Sequence, residues 1–169
     1  MTARIQRYVR DLEETCHIPL RIAITGESGS GKLTFVNAVR GLRNGDEGAA
    51  PTGAVEHSKD PIPYFHPEYP NVTLWDLPGV GTLKYPTHKY LEYVGFEKFD
   101  FFIIVSDTGC RENDVKLAQE IQKVKKNFYF VHSKIDNFMR DERRNRDFSA
   151  ERSLTKMREN CVQGEFLFC

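Results

Sequence analysis

The stretch from Gly26 to Thr34, Gly-Glu-Ser-Gly-Ser-Gly-Lys-Leu-Thr, constrains this chain more than any other. It lies between an apolar strand pattern, Leu20-Arg21-Ile22-Ala23-Ile24-Thr25, and a helical pattern in which Phe35, Val36, Ala38, Val39 and Leu42 recur at helical spacing. Gly26, Gly31 and Lys32 match the P-loop pattern G-x-x-x-x-G-K-[ST]. In that pattern backbone N–H groups curl around phosphate oxygens, the Lys reaches the terminal phosphates and the last hydroxyl binds Mg²⁺. Leu33 stands where the hydroxyl belongs. A Gly/Ser-rich turn between strand and helix can also bind nothing, but Lys32 is in register and the helix that follows adds its dipole to an anion site.

The rest of the composition narrows the field. A chain of 169 residues is one domain, large enough to bury a central sheet under helices. Lys+Arg and Asp+Glu are equal at 24 each, so no basic field argues for nucleic acid, and any phosphate site must be local. Cys16, Cys110, Cys161 and Cys169 form no C-x-x-C pair, which argues against a zinc site or a disulfide framework and suits a reducing, cytoplasmic setting. The longest strongly apolar run, Phe101 to Val105, is too short to span a bilayer. Membrane contact, on this reading, is peripheral.

Taken in order, Thr2 to Cys16 places Ile5, Val9 and Leu12 on one face among charged residues, an amphipathic helix expected to occupy residues 1–18 ahead of a domain over 19–169. Such a helix packs on its own domain more often than on a membrane. After the glycine-rich loop and its helix, Arg43 to Pro61 has no sustained period and reads as a long functional loop. Its Thr52, between Pro51 and Gly53, is a candidate to fold over a γ-phosphate and Mg²⁺, or is simply a turn threonine. Pro61–Phe65 and Asn71–Trp75 read as paired strands, the second running into Asp76-Leu77-Pro78-Gly79. Asp76 suits a carboxylate holding Mg²⁺ through water, and Gly79 an N–H touching the γ-phosphate. Val80 follows, where many small GTPases place a water-orienting glutamine, and a valine cannot perform that role.

Asp100 to Val105 reads as a strand buried on both faces of a parallel sheet, Glu112 to Lys125 as a helix and Asn127 to His132 as a further strand. That strand ends in Ser133-Lys134-Ile135-Asp136, close to [NT]-K-x-D. In that motif the Asp accepts two hydrogen bonds from the guanine edge and the Lys stem lies on the ring. Adenine offers no such donor pair, so Asp136 would select G over A. Ser133 is shorter than Asn or Thr, and predicts a weaker tie between this loop and the phosphate loop. Arg140 to Asp147 reads as a solvated charge run, Ser149 as the cap of a helix through Gln163, and Glu165 to Cys169 as a last, incompletely covered strand.

Together, Gly26 to Lys32, the Asp46–Gly53 string with Ala50-Pro51-Thr52-Gly53, Leu74-Trp75-Asp76-Leu77-Pro78-Gly79 and Ser133-Lys134-Ile135-Asp136 resemble the G domain of the interferon-inducible immunity-related GTPases. The resemblance covers nearly the whole chain. It implies an α/β P-loop NTPase fold, a GTPase G domain with a mostly parallel sheet, helices on both faces and an incomplete last strand and helix. It also implies GTP and GDP as ligands with Mg²⁺, assembly with related GTPases through the G domain, and cell-autonomous defence at intracellular membranes.

The sequence departs from the family in three places. Leu33 replaces the Mg²⁺ hydroxyl, and Thr34 projects about 100° away from it on the helix. A later guanine-contacting loop has no counterpart before Cys169, and the family's C-terminal helical domain is missing, so a short isoform or a fragment is expected.

Two functions follow. In the first, a slow GTPase activated by assembly, the loop residues Gly26, Glu27, Ser28, Gly29, Ser30, Gly31, Lys32, Leu33 and Thr34 hold phosphates. Thr52, Asp76 and Gly79 then sense the γ-phosphate and metal, and Ser133, Lys134 and Asp136 read the base. The second is a pseudo-GTPase that binds nucleotide weakly or without Mg²⁺ and regulates active relatives. A P-loop kinase is more distant, since it needs no guanine reader. If Asp136 reads guanine, Asp136→Asn weakens GTP binding and shifts preference toward xanthine nucleotides, whose 2-oxo group offers an acceptor to the Asn amide; unchanged GTP affinity in a binding titration would remove Asp136 from that role.

Overall fold

The computed structural model describes residues 18–53, 60–80, 87–107, 111–144 and 147–155. The expected N-terminal helix and the expected last strand lie outside the described residues.

The apolar runs become strands where the sequence pattern places them. Strands β1 (Leu20–Thr25), β2 (Ile62–Phe65), β3 (Val72–Asp76), β4 (Phe101–Ser106) and β5 (Asn127–His132) form one sheet in the order β2-β3-β1-β4-β5. Strand β1 pairs in parallel with β3 and β4, β4 in parallel with β5, and only β2 runs antiparallel, against β3. β2 is an edge strand of four residues and carries Pro63, which has no N–H for a ladder and is tolerated at an edge.

Helices α1 (Lys32–Val39), α2 (Thr87–Val94), α3 (Glu112–Lys123) and α4 (Ile135–Glu142) connect these strands, with a 3₁₀ turn at Phe96–Lys98 after α2. Alternation along the central strands divides the core in two. Ala23, Phe102 and Ile104 face Tyr90, Leu91 and Val94 of α2 and Leu117, Ala118 and Ile121 of α3. Ile22, Ile24, Leu74 and Val105 face Val36 of α1 together with Ala50. A strand buried on both faces must be apolar on both, which is why β4 reads Phe-Phe-Ile-Ile-Val without a polar break. Phe99 packs edge-on against both Trp75 and Phe102, with ring centroids 5.9 and 5.8 Å apart.

Two differences from the sequence pattern stand out. The paired strands and the β4 and β5 runs fall within a residue of expectation, but α4 occupies part of what reads as a solvated charge run. No residue of α4 is buried, and its apolar positions, Ile135, Phe138 and Met139, begin inside the Ser133–Asp136 motif, where a loop reading takes precedence over a helical one. Helix α1 also ends earlier than its pattern, at Val39. From residue 150 to 155 the chain is helical, and Ser149 caps it with an Oγ 3.4 Å from the Arg152 N–H.

The two faces make unequal demands on substitution. Leu117 is fully buried between α3 and the sheet, whereas Tyr129 on the edge strand β5 is 57% exposed. Leu117→Ala is expected to cost about 2–5 kcal/mol and Tyr129→Ala about 0.5 kcal/mol or less, measured by urea denaturation.

Candidate nucleotide site

The site gathers at the carboxyl ends of the parallel strands, where open α/β sheets place their ligands. Leaving β1, the chain turns at Gly26 with φ 140°, and a Cβ there would lie 2.1 Å from the Val105 carbonyl oxygen of β4. No side chain fits this passage. Five residues on, Gly31 adopts φ 93° and caps α1, so the loop swings over the helix N-terminus. The first amides of a helix have no intrahelical acceptor and carry its positive dipole end. Lys32 folds back across the loop, its Nζ 3.3 Å from the Gly26 and 3.0 Å from the Glu27 carbonyl oxygens. Ser30 Oγ is buried in the loop without a hydrogen-bond partner among the described residues. A glycine-walled loop, an ammonium laid across it and a helix N-terminus beneath it fit the phosphates of a nucleotide.

The metal position fits less well. Leu33 turns into the core face formed by Ile22, Ile24 and Val36, and Thr34 is exposed. Neither puts an oxygen where the pattern's hydroxyl sits. Among the described residues no group of three or more His, Cys, Asp or Glu side chains could hold a metal ion. Asp76, at the end of β3, is buried and paired in register with Ile24.

The segment after Asp76 is fastened to the phosphate loop. Leu77 N–H donates to Ile24 O at 2.9 Å and Val80 N–H to Gly26 O at 3.1 Å, and Val80 forms a parallel bridge with Glu27. The Val80 side chain is buried in the core against α2, so it is a packing residue. Tyr90 of α2 donates to Pro78 O at 2.8 Å. With that hydrogen committed, the 2.9 Å contact with Thr25 Oγ1 has Thr25 as donor. A buried phenol therefore joins the end of β1 to the turn that carries Gly79.

Thr52 is exposed. Two residues earlier, Ala50 is held at both backbone atoms by Asn37 of α1: Asn37 Nδ2 donates to Ala50 O at 2.9 Å, and Ala50 N–H donates to Asn37 Oδ1 at 2.7 Å. Asn37 is buried, and it fixes the point from which Pro51-Thr52-Gly53 departs.

The base-reading loop departs from expectation in the strength of its tie. Ser133 Oγ lies 2.5 Å from Ser30 O and 3.2 Å from Ser106 O, its N–H donates to Ser106 O at 2.8 Å, and Lys134 Nζ donates to Gly29 O at 2.7 Å. The short hydroxyl suffices because the two loops lie close together, with Ser133 at an ordinary packing distance of 3.6 Å from where a Cβ on Gly31 would stand. Asp136, its side chain 73% exposed, pairs with Arg140 at 3.8 Å. A polar chain completes the rim. Arg111 pairs with Glu27 and, at 3.0 Å, with Asp107; Asn113 Nδ2 donates to Glu27 Oε1 at 3.2 Å; Asp107 accepts from Lys134 at 3.0 Å. Burial raises the Asp107 carboxyl, but the hydrogen bond and charge of Lys134 and the charge of Arg111 outweigh it and hold it below the usual carboxylate range. Burial pushes the carboxyl of Asp114, whose Oδ2 accepts from Arg111 N–H at 3.1 Å, above its ordinary value.

Asn37, Tyr90, Asp107 and Arg111 are absent from the sequence-based set. Asp107 could have been found by analogy with Asp76, since one carboxylate ends a parallel strand and the other directly follows one. Asn37 is a polar residue beside Val36 on a helix face that is otherwise apolar, and Tyr90 carries no local signal.

This arrangement defines a P-loop GTPase domain. Residues 1–165 match the family model described as Interferon-inducible GTPase (IIGP), and the chain belongs to that family of immunity-related GTPases. It is 45% identical over 159 residues to T-cell-specific guanine nucleotide triphosphate-binding protein 2 of Mus musculus, a match covering 93% of this chain and 38% of that protein. It is 45% identical over 153 residues to Interferon-inducible GTPase 1 of Mus musculus, covering 89% and 37%. The chain thus spans well under half the length of these curated relatives. Among solved structures, a variant of Era from Aquifex aeolicus bound to GDP.AlF4- superposes with a TM-score of 0.59 at 20% identity, over 87% of this chain and 48% of that one. A variant of NFeoB from S. thermophilus bound to GMPPNP superposes with a TM-score of 0.53 at 20% identity, over 69% and 45%. These two show likeness of fold.

Removing the Asn37 amide leaves the Ala50 N–H and carbonyl without their side-chain partner in a buried position. Asn37→Ala is expected to cost about 2–3 kcal/mol and to speed hydrogen exchange at the Ala50 amide, read by amide exchange together with urea unfolding.

Proposed function

We propose that this chain is a guanine-nucleotide-binding G domain. The observation that carries the reading is the bonding of Ser133 and Lys134 side chains to the Ser30 and Gly29 carbonyls, which joins the base-reading loop and the phosphate loop into one rigid unit. In this reading Lys32 and the amides between Gly26 and Thr34 take the phosphates of GTP or GDP. The stem of Lys134 lies on the guanine ring, and Asp136 accepts from its N1 and N2 edge. Thr52, Asp76 and Gly79 respond to the γ-phosphate, and Mg²⁺, when bound, supplies charge neutralisation between β- and γ-phosphates. The domain in this reading spans residues 19–169. The names of the relatives support the ligand class and the setting of immune defence.

Hydrolysis in this reading is slow and depends on assembly with related GTPases through the G domain, because Val80 is packed into the core and cannot orient water. Action at intracellular membranes is then peripheral; among the described residues no helix is long and apolar enough to cross a membrane. A second reading rests on Leu33. With its side chain on the core and no hydroxyl beside Lys32, nucleotide binding loses its coupling to Mg²⁺, and the domain acts as a pseudo-GTPase that modulates active relatives.

Equilibrium binding of labelled GTP, GDP and ATP, with and without Mg²⁺, tests both. Selective guanine binding with little Mg²⁺ dependence is expected, and equal affinity for GTP and ATP would overturn the proposed function. Leu33→Ser is expected to raise Mg²⁺-dependent GTP affinity by about tenfold. Turnover that rises with protein concentration supports the assembled enzyme, and none at any concentration supports the binding module.

A further inference from the structure

Asp107 stands at the junction of the two loops, and nothing in the phosphate-loop or guanine-loop motifs accounts for it. It follows the last residue of β4, where the pairing of Ser106 with His132 brings the ends of β4 and β5 side by side. Its two oxygens are divided: Oδ2 accepts from Lys134 Nζ at 3.0 Å and Oδ1 from Arg111 Nη2 at 3.0 Å. Arg111 in turn pairs with Glu27 of the phosphate loop, and Lys134 donates to Gly29 of the same loop. Two acids and two bases thus form a neutral chain, Glu27, Arg111, Asp107 and Lys134, with both ends anchored on the phosphate loop.

Resting on the guanine-binding reading above, we propose that Asp107 is a positioning residue that sets guanine preference by holding the Lys134 stem in place before nucleotide arrives. A lysine side chain carries large rotamer freedom, and freezing it on binding weakens affinity unless it is frozen beforehand. The Gly29 carbonyl fixes the ammonium from one side only. Asp107 supplies the second point, and two points define the line of the alkyl stem. Lys134 also has φ 51°, a left-handed backbone that a residue with a Cβ rarely adopts. The carboxylate stays ionised through the physiological range because both its neighbours are cations.

The side chains of Asp107 and Lys134 are 22% and 43% exposed, so the effect is screened and moderate. The sign pattern is distinctive. A general folding defect lowers affinity for every nucleotide. Loss of positioning lowers the preference for guanine alone, and removing one negative charge from a neutral rim leaves ATP affinity unchanged or slightly higher.

The test uses the full 169-residue chain as wild type, Asp107→Asn, Asp107→Glu, Lys134→Met and the double variant Asp107→Asn/Lys134→Met, each titrated with GTP and ATP and melted thermally. Asp107→Asn is expected to lower the GTP-to-ATP affinity ratio about fivefold at an unchanged melting temperature. Asp107→Glu, which keeps the charge on a longer stem, restores most of the ratio, and Asp107→Asn has no further effect once Lys134 is Met. An undiminished ratio in Asp107→Asn, parallel losses for GTP and ATP, or additive effects in the double variant would overturn the proposal. A wild-type chain without guanine preference would overturn the guanine-binding reading and this inference with it, whereas wild-type preference that survives Asp107→Asn overturns this inference alone.

Discussion

The passage of Gly26 beneath the Val105 carbonyl is the contact on which the functional end of this domain depends. At that point the chain must leave the central strand, clear the backbone of its neighbour and still arrive at the start of a helix within six residues. Only a residue without a side chain clears the 2.1 Å gap that a Cβ would leave. Once it has done so, the adjoining segments are drawn to the same loop: Val80 to the Gly26 carbonyl, Ser133 to that of Ser30 and Lys134 to that of Gly29. Two segments far apart in sequence are thus positioned by the backbone of one loop. The sheet brings them close, and the loop carbonyls set their final separation.

Energy is distributed unevenly over this assembly. The two core faces supply most of the stabilisation, with Phe99, Phe102, Leu74, Leu117 and Ile121 fully buried. The ion pairs at the rim are partly exposed, and pairs of that kind contribute roughly 0–1 kcal/mol each to stability. Their value lies in geometry. Buried neutral bonds such as those from Asn37 to Ala50 and from Tyr90 to Pro78 sit between these extremes, specifying where loops depart from the core.

Much of this was legible in the sequence because the relevant periods are short and the motifs are local. β1 and β5 fall where the apolar runs place them, β4 and the paired strands lie within a residue, and Gly26, Lys32, Asp76, Ser133 and Asp136 all come to one end of the sheet. What sequence reasoning missed was of three kinds. Helix α4 begins inside the Ser133–Asp136 motif and ends in a charge run, so its stripe of Ile135, Phe138 and Met139 spans only two turns. The tie made by Ser133 depends on how near the end of β5 lies to the phosphate loop, which the identity of the side chain alone does not reveal. Asp107, Arg111 and Tyr90 act through contacts with residues up to 84 positions away, and separations of that size leave no local pattern to read.

The clamp between Asn37 and Ala50 has a mechanical consequence. Because both backbone atoms of Ala50 are held by a side chain that belongs to the helix under the phosphates, the loop is pinned on its N-terminal side and unpinned there only at the cost of two buried hydrogen bonds. Any displacement of Thr52 is therefore a rotation about a fulcrum two residues away, and that fulcrum is held by the same helix that begins with Lys32.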